Sequence, residues 1–281
     1  MRQINITEIT DTVADLFLEA NYVMSEDVTE AITGFLAKET SPIGSSVLEQ
    51  ILTNNQIAAS ERIAICQDTG MAVVFVKLGQ EVQIVGGSFN QAINDGVARA
   101  YNEGYLRKSI VDDPIFERKN TQTNTPAVIQ LELVEGDELE ITAVAKGFGS
   151  ENMSVLAMLT PAQGVEGVKR VVLDAAAKAG PNPCPPTVIG VGVGGTMEKA
   201  ALLAKQATIR ELGSRNPNPM YAALEEELLT EINKLGIGPS GTGGNTTSIG
   251  VNIEYYPTHI AGLPVAVNVC CHAVRHASRV L

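Results

Sequence analysis

No apolar run in this sequence approaches the roughly 20 residues that a membrane-spanning helix needs. No cluster of Lys or Arg offers the cationic surface that phosphate backbones require, and the net charge is −12. Neither a membrane nor nucleic acid is expected as a partner. The opening residues 1–11 are polar and lead into a helical pattern, unlike a signal peptide, so a cytoplasmic location is expected. Cysteine is scarce, four in 281 residues, which is no disulfide framework in a chain this long. Short Cys-x-x-Cys pairs are absent, which argues against structural zinc. An acidic surface still leaves room for a small anionic substrate, because a few local cations set the field in a pocket.

Hydrophobic residues make up 44%, and the length permits a core without metal or disulfide staples. Apolar residues at helical spacing (Ile6, Ile9, Val13, Leu16, Phe17) predict a helix over 6–20, and the pattern recurs over 27–38. Further helices are expected at 45–54, 89–104, 154–159, 164–179, 197–212 and 221–235. Strands are expected at 71–78, 83–85 and 187–193. Two more, 127–134 and 138–145, are joined by Glu135-Gly136-Asp137, a hairpin signal. The tail 272–281 places His272 and His276 on a helix face near Arg275 and Arg279, all read as surface residues. No repeat is evident. Helices and strands alternate without a regular βαβ period, so the expected class is α+β, with helices around small mixed or antiparallel sheets. The expected organisation is a single domain over 1–281, with any internal boundary in the polar stretch 112–125.

The candidate chemistry sits in loops. Cys66 precedes Gln67-Asp68-Thr69-Gly70. Cys184 lies in Pro181-Asn182-Pro183-Cys184-Pro185-Pro186, where prolines stiffen the backbone and remove amide donors. Cys270 and Cys271 are adjacent and followed by His272. Thiols so far apart in sequence suit an iron–sulfur cluster, which needs soft ligands rather than a compact motif; four small buried hydrophobes are the alternative. His259, in Pro257-Thr258-His259-Ile260, can act as an acid, a base or a donor to a carboxylate. Arg107 can grip a carboxylate in a fork. The run 190–195 spells Gly-x-Gly-x-x-Gly after a strand and before a helix, yet no second strand ending in Asp or Glu follows to hold a ribose. A second glycine run, 236–247, lacks the Gly-Lys-Ser/Thr of a nucleotide phosphate loop but exposes amides and hydroxyls fit to cradle an anion.

These segments together resemble the α-type catalytic region of class I fumarate hydratases and L(+)-tartrate dehydratases. The resemblance rests on Cys-Gln-Asp-Thr-Gly at 66–70, Leu-Arg-Lys-Ser at 106–109 and Lys-Gly-Phe-Gly-Ser-Glu-Asn at 146–152. It continues through Asn-Pro-Cys-Pro-Pro at 182–186, the glycine runs from Gly190 and Gly238, and the segment 257–281, so it covers nearly the whole chain. It implies a 4Fe–4S cluster on Cys66, Cys184 and Cys271, with the Cys-His-Ala pattern selecting Cys271 over Cys270, and one iron left open. It also implies substrate contacts from Gln67, Asp68, Arg107, the Gly149 amide and His259, with Asp68, Arg107 and His259 catalytic. Single-chain relatives continue into a second domain, so this sequence resembles the α subunit of a split hydro-lyase. A β subunit would complete the site, in an α2β2 assembly built on an α–α dimer. The expected reaction on a small dicarboxylate is hydration of fumarate to (S)-malate, as in the tricarboxylic acid cycle. Dehydration of L(+)-tartrate to oxaloacetate is the alternative, and a cluster-binding scaffold without catalysis is another.

Overall fold

The computed structural model describes residues 2–281 and is α+β, as expected. The chain begins with β1 (Arg2–Asn5), α1 (Ile6–Tyr22), α2 (Glu26–Leu36), α3 (Pro42–Glu61), β2 (Met71–Gly79), β3 (Val82–Val85) and α4 (Phe89–Glu103). There follow β4 (Val128–Val134), β5 (Leu139–Lys146), α5 (Phe148–Glu151), β6 (Val155–Leu159) and α6 (Gly164–Ala179). It ends with β7 (Thr187–Gly194), α7 (Met197–Ala207), α8 (Pro219–Asn233), β8 (Ser248–Tyr256), β9 (Leu263–Cys270) and β10 (His276–Val280). Two compact units result: one holds the segment up to Met24, Asn54–Phe148 and Arg275–Leu281, the other Ser25–Thr53 and Gly149–Val274. The polar stretch 112–125 lies inside the first unit.

In the first unit a four-stranded sheet has the order β10-β5-β2-β4. Helices α1 and α4 cover it, and of the apolar stripe expected on α1, Ile9, Val13, Leu16 and Phe17 are buried with Ile93, Val97 and Tyr101 of α4, while Ile6 is partly buried. Full burial of one such aliphatic or aromatic side chain contributes about 1.5–3 kcal/mol. The Asn5 side chain caps α1 at the Thr7 amide and the Ser88 side chain caps α4 at the Gln91 amide, as short polar residues do at exposed first-turn donors. The second unit has a four-stranded sheet of order β6-β9-β7-β8. Strand periodicity sends Ile189, Val191 and Val193 to the face packed by α6 and α8, and Gly190 and Gly192 to the face against α7.

Several expectations are corrected. Residues 155–159 form strand β6, not a helix, and pair with β9; five residues of alternating burial are too few to distinguish the two periods from sequence. The strands flanking Glu135-Gly136-Asp137 are not a hairpin, because β2 lies between them, parallel to β4 and antiparallel to β5. The tail is not helical: 276–280 is strand β10, paired with β5, and Arg275 is only 3% exposed.

The two sheets share one topology that the sequence does not betray. In each, a central strand (β2 or β7) has a parallel neighbour (β4 or β8) and an antiparallel neighbour (β5 or β9), the latter paired antiparallel to an outer strand. In each, the connection from parallel to antiparallel neighbour crosses the far end of the central strand, and a glycine sits beneath it. A Cβ at Gly79 would collide with the Gly136 carbonyl, and one at Gly194 with the Tyr256 carbonyl. The opposite end of each central strand is left to the loops that hold Cys66 and Cys184.

Candidate active site

In the first unit the loop 66–70 leads into β2. Met71 pairs with Lys146 at the end of β5, and His276 pairs with Val144, so this loop, Gly147-Phe148 and Arg275 share one end of the sheet. The loop is held at both ends. The Ile65 amide donates to the Asn21 carbonyl at 2.9 Å, and the Asn54 side chain donates to the Ile65 carbonyl at 2.9 Å. The Tyr101 hydroxyl donates to the Thr69 carbonyl at 2.6 Å and to the Gly70 carbonyl at 3.2 Å. The Thr69 hydroxyl reaches the Arg107 carbonyl at 2.8 Å. Burial raises the Tyr101 phenol far above its ordinary value, with the Arg275 guanidinium opposing that rise, so it remains a proton donor. Asp68 is fixed by two amides, Gly70 at 3.0 Å to Oδ1 and Phe148 at 2.8 Å to Oδ2. Those bonds leave further acceptor positions on both oxygens. Cys66 is half-buried, with its thiol 3.4 Å from Gln67 Oε1, while Gln67 and Arg107 are exposed.

In the second unit Val188 pairs with Cys270 and Thr187 with Ser248. The Cys184 segment, Cys271 and the glycine run 236–247 therefore occupy one end of that sheet. Cys184 is exposed on a left-handed backbone (φ 53°). Its neighbour Pro185 accepts from the Ser240 amide at 2.7 Å, so the glycine run braces the cysteine segment. Cys270 is buried at the last position of β9, whereas Cys271, one step beyond, is half-buried. None of the four cysteines is in a disulfide.

Residues 10–280 match the family described as Fumarate hydratase (Fumerase). The chain belongs to the fumarate hydratase family. It is of the hydro-lyase class that the resemblance implied. A Methanocaldococcus jannaschii protein is 42% identical over 278 residues, 96% of each chain, and carries the name L(+)-tartrate dehydratase subunit alpha provisionally. Escherichia coli proteins named L(+)-tartrate dehydratase subunit alpha are similarly related. That of strain UTI89 is 33% identical and that of K12 is 32% identical, each over 279 residues, 99% of this chain and 92% of theirs.

Within this family member, the structure gathers the expected residues unevenly. Cys66, Gln67 and Asp68 are consecutive in the first unit, Cys184 and Cys271 lie at one end of the second unit's sheet, and Gly149 is exposed and lies in the second unit. Within neither unit, among the described residues, do three Cys, His, Asp or Glu side chains form a metal-holding group. His259 is not with the cysteines. It is exposed in the connection over the far end of β7, and its Nδ1 accepts from the Ala261 amide at 3.2 Å. The eight residues of β9 separate it from Cys271, a span of about 26 Å at strand rise.

Two residues escaped sequence reading. Arg275 lies beneath the 66–70 loop rather than on the surface. Glu39, in the link between α2 and α3, clasps the glycine run: its carboxylate accepts from the Asn245 amide at 3.1 Å and from the Thr40 and Ser41 amides at 2.9 Å. Burial pushes the Glu39 carboxyl up, but bonds from the Thr246 side chain and these amides outweigh it and hold the group below the usual glutamate value. An isolated Glu in a short polar link carries no periodic or motif signal, so only the fold identifies it.

Proposed function

We propose that this chain is the alpha subunit of an iron–sulfur L(+)-tartrate dehydratase, completed by a β subunit. The observation that carries the reading is similarity over nearly the full length to proteins named as that subunit. The fumarate-to-malate reaction favoured from sequence is thereby second to tartrate. The donor set fits a cluster: thiolates are the ligands iron–sulfur centres take, and Cys66, Cys184 and Cys271 are cysteines outside any disulfide, each at the loop-bearing end of its sheet. Bound to those three, a 4Fe–4S cluster with one open iron would supply a Lewis acid for the departing hydroxyl. Asp68, its carboxylate pinned by two amides, holds the substrate hydroxyl and takes part in moving its proton. The exposed Arg107 guanidinium grips one substrate carboxylate; Gln67 and the Gly149 amide orient the rest. The base for the carbon-bound proton belongs to the β chain.

Anaerobic reconstitution with the β chain, followed by assays on L(+)-tartrate, meso-tartrate, malate and fumarate, tests this. L(+)-Tartrate is expected to give the highest kcat/KM, by at least about 10²-fold over malate, since a site that hydrogen-bonds an extra hydroxyl leaves buried groups unpaired when it is missing. The α chain alone is expected to turn over under about 1% as fast, because removing proton abstraction costs on the order of 10²–10⁴. Preference for fumarate and malate would overturn the substrate, and full activity without β would overturn the split site.

His259 meets a substrate bound at Cys184 and Cys271 only from another chain, because β9 holds it at the far end of its own sheet. A second α copy, in an α2β2 assembly, fits this role. Mixing Cys271→Ala and His259→Ala α chains, each inactive alone, is then expected to restore about a quarter of wild-type activity through mixed dimers. No gain over the separate variants sinks the shared site.

A further inference from the structure

Arg275 poses an energetic question. A guanidinium removed from water is costly unless hydrogen bonds replace the lost solvent, yet this one is 3% exposed. Its Nη1 donates to the Asp68 carbonyl and, at 3.3 Å, to Asn21 Oδ1. Its Nε is buried with no hydrogen-bond partner among the described residues. Asn21 itself is fully buried and donates to the Phe17 carbonyl at 2.9 Å. Within the loop 66–70, the buried cation's hydrogen bond goes to a single peptide, through the Asp68 carbonyl.

That peptide belongs to Asp68. The Cβ position of Gly147 lies 3.2 Å from Arg275 Nη2 and 3.3 Å from Asp68 Oδ2. Guanidinium and carboxylate thus flank the same bare side of Gly147, and the next amide, Phe148, holds that carboxylate oxygen. We propose that Arg275 is a positioning residue for Asp68: the buried cation anchors the Asp68 carbonyl, so the carboxylate stays locked on the Gly70 and Phe148 amides and aimed at substrate. The last clause rests on the proposed dehydratase reading; the anchoring does not. The covalent order reinforces the link, since Arg275 immediately precedes β10 and its carbonyl accepts from the Ala145 amide at 3.0 Å, tying the anchor to the strand that leads into Gly147.

Amide hydrogen exchange on the metal-free α chain reads the anchor directly. In Arg275→Met the Gly70 and Phe148 amides are expected to exchange at least about 10-fold faster, the signature of local rather than global opening, with Arg275→Lys intermediate. Ile93→Val, a core truncation far from the loop in sequence, controls for general loosening. In the enzyme reconstituted with β chain, Arg275→Lys is expected to lower kcat by about 10–100-fold with KM nearly unchanged, as a misplaced catalytic group does. Exchange at Gly70 and Phe148 no faster than in the Ile93→Val chain overturns the anchor, whichever substrate is used. If exchange rises but kcat does not fall, the anchor stands and the assignment of Asp68 to catalysis fails.

Discussion

Alanine at Cys271 is expected to leave the α chain folded but unable to retain iron, while alanine at the adjacent Cys270 retains it. The two differ only by one step along β9, yet that step crosses the strand end. Cys270 is 5% exposed and paired with Val188, and strand alternation places it on the side of Ala266, which packs against Ala200 and Ala204 of α7. Losing its sulfur removes a small core group and costs about 1–2 kcal/mol. Cys271 stands past the last ladder pair, half-buried, its thiol 3.7 Å from the Ala273 carbonyl. Losing it costs stability within about 0.5 kcal/mol but removes one of the three thiolates proposed to hold the cluster. Cys184→Ala and Cys66→Ala belong with Cys271→Ala. Iron and sulfide per chain after anaerobic reconstitution, together with turnover in the presence of β chain, are the measurements. Full iron in Cys271→Ala, or its loss in Cys270→Ala, would transfer the ligand to the other cysteine.

Sequence reading reached the regular elements and the loops, and failed where meaning depends on what lies across a sheet. Helix α6 has the bounds expected from sequence, because its stripe and the flanking Gly180 are local signals. The hairpin signal at Glu135-Gly136-Asp137 is also local, but β2, more than fifty residues earlier, is inserted between the two strands, and no local pattern encodes that insertion. The shared topology of the two sheets was invisible for the same reason: β2 and β7 are alike in their neighbours and in the glycine under each crossing, not in their residues. From sequence Arg275 reads as a surface residue because Arg is rarely buried. Its burial follows from β10 pairing with β5, a contact between residues 276 and 144. The candidate site was legible as a set of loops, through resemblance; that His259 stands a strand length from Cys271 was not.

The Gly-Val-Gly-Val-Gly-Gly run makes the sharpest test of that distinction. In a dinucleotide fold these glycines form the turn after the strand and approach a pyrophosphate. Here Gly190 and Gly192 lie inside β7, paired with Asn268 and Ala266 of β9, and their bare faces meet α7. A Cβ on Gly192 would overlap the Ala200 carbonyl and lie 2.6 Å from the Ala204 nitrogen; one on Gly190 would overlap the Ala204 carbonyl and lie 2.8 Å from the Thr208 nitrogen. These obstacles are backbone atoms of a helix, which no rotamer change can clear, so α7 must lift from the sheet. Gly192→Ala is therefore expected to cost more than about 4 kcal/mol, a large part of the roughly 5–15 kcal/mol that holds a domain together. Gly34→Ala is the contrast: it lies in α2 with no atom within 4 Å of its Cβ position and is expected to stabilise by about 0.5–1 kcal/mol. Thermal melts of the two variants separate packing from phosphate binding, because a nucleotide loop would lose ligand affinity and keep its melting temperature. A Gly192→Ala chain that melts like the parent would mean that α7 does not rest on this strand as closely as described.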